Sequence, residues 1–339
     1  MGGDHLSTRA AVSFLDVGQG DCTIAIDTDA RAAVLIDCPD GGGEVALQHL
    51  AREGADRITV LFLTHLHEDH FGDTLEIARR IRTDEVRVNL GRRIPADAAA
   101  RSKLLATLRG FAELEDDGTT LAPGLTNDSG NVGIVSWSLL WPTYGAVMGA
   151  LVSDAPNRAS LVVRLEVEGH RFLIAGDSDG RDWAGIHARG IDVHADVLLL
   201  PHHGAWLPAA QGRMSLTDIL DAVGASHHVV SVGTTNGYHH PATSTLASLG
   251  ARASRARVTC TQVNATCLAG NPLPLLEAKA LPETAQIGRG LSKADTCPCA
   301  GTVTFTLTDT SDTWNTTPSV PEHTRVIDAL GAPQCRPVP

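Results

Sequence analysis

Several things are scarce or absent in this sequence, and each absence narrows what the chain can be. Basic charge is scarce: 27 Lys and Arg stand against 39 Asp and Glu in 339 residues, a formal net charge of −12. A protein that grips long nucleic acid by neutralising phosphates is normally basic, so extended DNA binding is disfavoured; entry of one phosphodiester into a cleft is not. Long apolar runs are absent. The most membrane-like stretch, Trp137 to Val152, is short and carries Pro142, so no spanning helix and no membrane partner are expected. Met1 to Arg9 is polar rather than a signal peptide, which makes cytoplasmic residence the expectation. A disulfide framework is also disfavoured, because the seven cysteines are odd in number and no export signal accompanies them. No internal repeat is visible. What remains, 43% hydrophobic and 19% charged residues, suits a globular chain long enough for a sizeable core.

Against that background one stretch stands out, Leu61-Phe-Leu-Thr-His-Leu-His-Glu-Asp-His-Phe-Gly-Asp73. The apolar run Val60 to Leu63 reads as a buried strand that stops at Thr64. Asp73 with Glu76 reads as a capping box opening a helix that runs to about Thr83. His65, His67, Asp69 and His70 therefore sit on a tight loop between a strand end and a helix start. Imidazole nitrogens with a carboxylate oxygen are the donor set for zinc or another borderline divalent metal. In extended backbone the two-residue spacing turns His65 and His67 the same way, and Asp69 and His70, past the bend, can face a second ion. The alternative is a surface loop that happens to be rich in His, a poor account of such a cluster when only 15 of 339 residues are His.

Further along, strand after strand ends in a polar loop: Gly18–Asp21, Gly176–Asp179, His202–Gly204 and Asn236–His240. Active sites are commonly assembled from loops at one sheet edge, so these are expected to converge with the His65–His70 loop. Elsewhere, Glu44 to Glu53, Ala96 to Leu114 and Leu216 to Val223 read as helices. Val86 to Leu90 reads as a strand, Asp116 to Asn131 as linker, and Tyr144 to Asn157 as a loop-like flap.

The ordered set His65-x-His67-x-Asp69-His70, Gly176-Asp177 and His202-His203-Gly204 resembles the metallo-β-lactamase fold superfamily. It is most similar to the soluble nuclease-like domain of ComEC-type DNA-uptake proteins. The matching stretches are Phe14-Leu-Asp-Val-Gly-Gln-Gly-Asp21, Asn157-Arg-Ala-Ser-Leu-Val-Val-Arg164, Phe172-Leu-Ile-Ala-Gly-Asp177, Ala195-Asp-Val-Leu-Leu-Leu-Pro-His-His-Gly204 and Val230-Ser-Val-Gly-Thr-Thr-Asn-Gly-Tyr-His-His-Pro241. The resemblance implies an α/β fold, a four-layer αββα sandwich of two mixed sheets flanked by helices, with a hydrolase domain over residues 1–250. Residues 251–339 would be a Cys-containing extension packed on it. It also implies two divalent ions, zinc or manganese: His65 and His67 on the first, Asp69 and His70 on the second, Asp177 bridging, and one of His202 and His203 completing the second. A carboxylate shared by two cations offsets their repulsion, and bound water that loses its proton near neutral pH is the expected nucleophile. Many hydrolases of the superfamily place a further His between the first motif and the bridging Asp. Here the only His in that interval is His170, in an expected hairpin turn, so Asn157 or Ser160 is expected to line the place.

Smaller features leave alternatives open. In extended backbone only one of His202 and His203 can face the cleft. Asn236, Tyr238 and His240 suit phosphate binding or leaving-group assistance, or ordinary loop chemistry. Asp21 and Asp37 suit partners of metal-bound histidines or turn carboxylates. The arginines at 79, 80, 82, 87, 92 and 93, and those at 252, 255 and 257, form solvated faces or steer an anion. Cys260, Cys267, Cys297 and Cys299 could make a Cys₄ structural zinc site, although the spacing is not that of a ribbon or finger, and free thiols or a redox pair fit as well. The leading expectation is a metal-dependent hydrolase of a phosphodiester, DNA or a nucleotide, with Asp69, Asp177 and His240 as its catalytic residues. A carboxylic ester or lactone hydrolase is the alternative, and a metal-stabilised binding module is another.

Overall fold

A computed structural model describes residues 8–90, 96–153, 155–268, 282–286, 288, 297–308, 311–330 and 333–335. Its strands fall into two sheets. The larger runs, edge to edge, Ser311–Thr317, Val303–Thr308, Thr8–Phe14, Thr23–Asp27, Ala32–Ile36, Arg57–Leu63, Arg82–Val88 and Thr120–Ala122. The smaller runs Arg257–Cys260, His227–Val230, Val197–Leu199, His170–Ile174, Val162–Val167, Val135–Trp141 and Ser129–Val132. Each is mixed, with antiparallel hairpins on one side and parallel strands on the other.

Side-chain alternation explains why the sheets stack. Successive residues of a strand face opposite sides, so a strand apolar throughout needs cover on both. In Arg57–Leu63, Val60 and Phe62 enter a core shared with Phe172, Ile174, Val197 and Leu199 of the other sheet. Leu61 and Leu63 enter a separate core with Leu50, Ile77, Leu104 and Phe111 from the helices Gly43–Arg52, Thr74–Arg80 and Ala98–Asp116. On the far side, Leu173 and Leu198 meet Trp183, Ile219, Leu246 and Ile327 of the helices Gly180–Ala188, Leu216–Val223, Thr243–Gly250 and Val320–Ala329. Three cores separate four layers, helix, sheet, sheet, helix, as expected from the resemblance. Each fully buried large side chain contributes about 1.5–3 kcal/mol. Among the described residues no helix is long and apolar enough to cross a membrane.

Several local expectations are corrected. The helix after the His cluster spans Thr74–Arg80, and the following strand already starts at Arg82. Asp73 makes no capping bond to that helix; its Oδ2 accepts the Gly43 N–H at 2.9 Å, tying two helix starts together. Tyr144–Ser153 is a helix rather than a loop, and Thr120–Ala122 and Ser129–Val132 are short strands inside the expected linker.

One buried carboxylate has a consequence for stability. Asp16 is fully buried; its Oδ1 accepts from Gln262 Nε2 at 2.8 Å and the Gly18 N–H at 3.3 Å, while Oδ2 has no hydrogen bond. Burial pushes its pKa up to about 7 against those two bonds. A carboxylate raised on folding keeps its proton after the unfolded chain has lost it, so its contribution is lost as pH rises from about 4 to about 7. Urea titrations of wild type and Asp16→Asn across that interval should diverge. The difference should favour the variant by an amount growing to about 4 kcal/mol near pH 7 and then level off. A pH-independent difference would refute the assignment.

Candidate metal centre

The parallel strands of both sheets deliver their C-terminal ends to one rim, the usual place for a site in an open α/β sheet. Ala32–Ile36 ends at Asp37 and Arg57–Leu63 at Thr64; their neighbours across the sandwich end at Asp177, His202 and the 233–240 loop. Asp37 locks the first motif in place. Its Oδ1 accepts the Thr64 N–H at 2.8 Å, and its Oδ2 accepts from Thr64 Oγ1 at 2.6 Å and lies 2.7 Å from His70 Nδ1. Held through Nδ1, His70 presents Nε2 to the site, the arrangement by which a carboxylate sets the orientation of a ligating imidazole. For His203 the Ser231 carbonyl takes that part, 3.2 Å from Nδ1, with the buried Asp21 carboxylate 3.2 Å from the same nitrogen as a charge partner.

Asp177 is the centre. Its N–H donates to Ser160 Oγ at 3.0 Å. Gly176 before it has φ +50°, and a Cβ there would lie 2.5 Å from Ser160 Oγ, so glycine is required for the close turn. The two carboxylate oxygens face two different groups. Oδ2 lies 3.3 Å from His65 Nε2, 3.4 Å from His202 Nε2 and 3.2 Å from Asn157 Nδ2, and His65 Nε2 is 3.0 Å from His67 Nδ1. Oδ1 lies 3.3 Å from His70 Nε2 and 3.8 Å from His203 Nε2, which is 3.5 Å from Asp69 Oδ2.

His202 and His203 both reach Asp177, which the extended-backbone premise did not allow. Their φ values are +53° and +50°, two consecutive left-handed residues, so neighbouring side chains swing to the same side instead of alternating. His202 thus occupies the side of His65 and His67, where the superfamily's further His is absent from the sequence. His170 is remote; it begins a strand and stacks on Trp314, ring centroids 5.4 Å apart.

The donors fit divalent cations on two observations. His65, His70 and Asp177 present donor atoms mutually within 4.8 Å, and so do Asp21, His70 and His203. In addition His70 Nε2, His203 Nε2 and Asp177 Oδ1 are buried without a hydrogen bond, a costly state that cation binding would relieve. Burial opposes charge on His70, but Asp177 and Asp37 outweigh it and hold its pKa well above the usual histidine range. His203 is raised likewise against burial, by Asp21, Asp69 and Asp177. Burial also opposes ionisation of Asp177 and Asp69. For Asp177, His70 and His65 outweigh it; for Asp69, His203 and His70 do, and both carboxylates stay below their usual range. His67 instead is pushed down to about 4 by burial and then by His65, and His202 is lowered mainly by burial. Cations must displace the protons on His70 and His203, so cation affinity rises with pH.

Two cavities flank Asp177 and share His67, Asn157 and His202. One, of about 590 Å³, has Leu66, Phe71, Tyr238 and His240 in its wall. The other, of about 560 Å³, is lined by Arg158, Arg181 and Arg213. Of the residues expected to bind substrate, Asn157, Tyr238 and His240 line the first cavity; Tyr238 and His240 are stacked, with the rings 6.1 Å apart. Asn236 and Ser160 do not line either cavity. The Asn236 amide spans its own turn, donating to the Gly233 and His240 carbonyls and accepting the His240 N–H, while Ser160 supports Asp177 from beneath. The arginines at 79, 80 and 82 pair with Glu113, Glu44 and Asp84 respectively, the solvated-face alternative, whereas Arg87 is mostly buried, pairs with Glu85 and Asp128 and lies over Trp137. Arg92 and Arg93 lie outside the described residues. The three cavity arginines escaped sequence reasoning because they are scattered singly over 55 positions.

The chain is similar to several known proteins. ComE operon protein 3 of Bacillus subtilis (strain 168) is 24% identical over 253 residues, which cover 70% of this chain and 30% of that protein; the chain thus spans under a third of its relative's length. Among solved structures, Zn(2+)-bound PqqB from Methylobacterium extorquens is 14% identical, covering 74% of this chain and 97% of that one at a TM-score of 0.47. The metallo-beta-lactamase fold protein YhfI from Bacillus subtilis is 11% identical, with coverages of 74% and 96% and a TM-score of 0.45. The family model described as metallo-beta-lactamase superfamily matches residues 15–250, and the chain belongs to that superfamily.

Proposed function

We propose that this chain is a metal-dependent phosphodiesterase that acts on nucleic acid or a nucleotide. The carrying observation is Asp177, whose two oxygens face two separate groups of donors between two open cavities. His65, His67 and His202 would hold one divalent cation, Asp69, His70 and His203 a second, with Asp177 shared. Zinc and manganese both suit nitrogen and carboxylate donors, and such ions supply charge stabilisation and water of lowered pKa.

The protein's own groups account for the rest. Asp37 fixes the imidazole of His70 and the Ser231 carbonyl that of His203, with Asp21 supplying negative charge beside it. Asn157 offers an N–H at the cavity floor, where it already donates to Asp177. Burial, with His202 and His203 nearby, pushes His240 down to about 4, so at pH 7 it is neutral and presents one N–H donor and one acceptor rather than a charge. Its place beside Tyr238 suits a hydrogen bond to a phosphoryl or leaving-group oxygen. Arg158, Arg181 and Arg213 make the second cavity attractive to further phosphates despite the acidic net charge. Open cavities beside the donors argue against purely structural ions, whose sites are closed.

The test is a substrate panel. Metal-loaded protein is incubated with single- and double-stranded DNA, RNA, bis(p-nitrophenyl) phosphate and a lactone. Phosphodiester turnover is expected, and Arg181→Gln and Arg213→Gln should each raise KM for an oligonucleotide about fivefold. The same variants should leave KM for bis(p-nitrophenyl) phosphate unchanged, since that small diester does not reach the second cavity. Lactone turnover alone would select the ester reading, and inertness toward every substrate would leave a binding module.

A further inference from the structure

Away from Asp177, the late cysteines Cys260, Cys267, Cys297 and Cys299 are buried free thiols, and among the described residues no three of their sulfurs lie mutually within 4.8 Å. The opposite rim of the sandwich carries more. Val197, His227 and Arg257 are each the first residue of a strand of the smaller sheet, and they pair in one row across it, with Phe172 beside Val197. The same strands end at the metal centre: Ser231, whose carbonyl meets His203 Nδ1, directly follows His227–Val230. The row therefore lies at the far end of the strands from Asp177. Phe305 and Trp314 come to it from the outer two strands of the larger sheet.

Two cavities open there. The first, of about 390 Å³, is walled by the rings of Trp314, Phe305, His170 and His227, with Arg257 among them. These rings brace one another. Trp314 and His170 are stacked with centroids 5.4 Å apart, Phe172 meets Trp314 edge-on at 5.3 Å, and Phe305 lies 5.0 Å from His227. The second cavity, of about 370 Å³, has Ser254, Arg255, Arg257 and Thr324 in its wall. Arg257 and Val320 line both, so the two adjoin. Neither wall includes an Asp or Glu, although the chain carries a net charge of −12. Glu322, on the neighbouring helix, turns back to accept the Ser319 N–H at 2.7 Å. Arg257 Nη2 donates to the Pro318 and Ser319 carbonyls at 2.6 and 3.3 Å. Its Nε and Nη1, and the guanidinium of exposed Arg255, make no hydrogen bond or ion pair among the described residues.

We propose that this pair of cavities binds a mononucleotide, separately from the metal centre, with the base laid on the His170–Trp314 stack and the phosphate on Arg255 and Arg257. Stacking needs only a π-face and so accepts any base, while guanidinium forks match the oxygens of a phosphate. Each cavity is near the lower end of the size range of small-ligand sites, and together they hold a ring, a sugar and a phosphate. Their separation decides the ligand class. A ring-bearing carboxylate such as phenylpyruvate keeps its charge within a few bonds of the ring and would occupy one cavity alone. A nucleotide places a sugar between base and phosphate, and that sugar spans the boundary at Arg257 and Val320. Val320, exposed at that boundary, gives the sugar an apolar surface to cover. The ligand class follows from the lining of the cavities and does not depend on the phosphodiesterase reading.

The test is calorimetric titration of the full chain with dAMP, deoxyadenosine, inorganic phosphate and phenylpyruvate. None of these contains a phosphodiester bond, so turnover does not interfere, and a protein inert toward every diester should still bind dAMP. The dAMP is expected to bind at least about tenfold more tightly than any of the other three, because only it engages both cavities. Trp314→Leu and Arg255→Gln should each weaken dAMP binding about tenfold. Arg255 is exposed, so its substitution removes a phosphate contact without touching the core, whatever Trp314→Leu does to the edge strand. Absence of dAMP binding, equal affinity for phenylpyruvate, or unchanged affinity in Arg255→Gln would each overturn the assignment. Loss of binding in Arg181→Gln and not in Arg255→Gln would overturn it too, by moving the nucleotide to the cavity beside Asp177.

Discussion

Asp177→Asn should lower kcat/KM for a phosphodiester by about 10³-fold or more and strip bound cation from the protein. The reasoning starts from charge. Asp177 is 2% exposed and is the carboxylate whose two oxygens meet both groups of imidazoles. An amide keeps the shape but removes the negative charge on which two adjacent cations depend, and it turns one acceptor into a donor aimed at other donors. Of its two adjacent carboxylates His70 would then keep only Asp37, so less of it would be protonated at neutral pH. Two measurements separate the effects: metal content by mass spectrometry, and turnover of bis(p-nitrophenyl) phosphate at saturating metal. A variant that retains a tenth of wild-type turnover would remove Asp177 from the centre of the mechanism.

Gly72→Ala should destabilise the fold by about 3 kcal/mol or more. A Cβ at Gly72 would stand 2.0 Å from the Asp40 nitrogen, 2.6 Å from its Cα and 2.7 Å from the Pro39 carbonyl carbon, all of them backbone. Nothing flexible can yield, so the loop carrying Asp69 and His70 must separate from the 37–42 turn. That turn is bound to it through the Cys38 N–H donating to the His70 carbonyl at 2.7 Å. Gly149→Ala is the matched control. It lies in the helix Tyr144–Ser153 with nothing within 4 Å of the added carbon, and should stabilise by roughly 0.5–1 kcal/mol. Urea midpoints moving in opposite directions would support both assignments; equal shifts would mean that contact at Gly72 does not govern the loop.

How much of this was legible in the sequence depended on range. His65, His67, Asp69 and His70 were legible because four donor residues crowd six positions after an apolar strand, and Asp177 because it follows a strand at a glycine. The unbroken apolar run Val60–Leu63 announced a buried strand. Handedness was not legible: nothing in Pro201-His-His-Gly204 states that two residues in a row take left-handed backbone, so one histidine was expected to turn away. The helix Tyr144–Ser153 was hidden because Gly145, Ala146, Gly149 and Ala150 carry no apolar period. Asp73 looked like a cap because its bond to Gly43 spans 30 residues, a distance that local pattern cannot see. The cavity arginines were missed for the same reason; each matters only through where the fold carries it.

The order of strands in the larger sheet also bears on how the chain is born. Thr8–Phe14 is synthesised before the other described strands of its sheet, yet one of its two edges is closed only by Val303–Thr308. At roughly 5–20 residues per second, the nascent protein carries an open, apolar β-edge for roughly 15–60 s. Over that interval a neighbouring nascent chain can add to the same edge, so slow translation or crowded polysomes would favour intermolecular pairing over completion of the sheet.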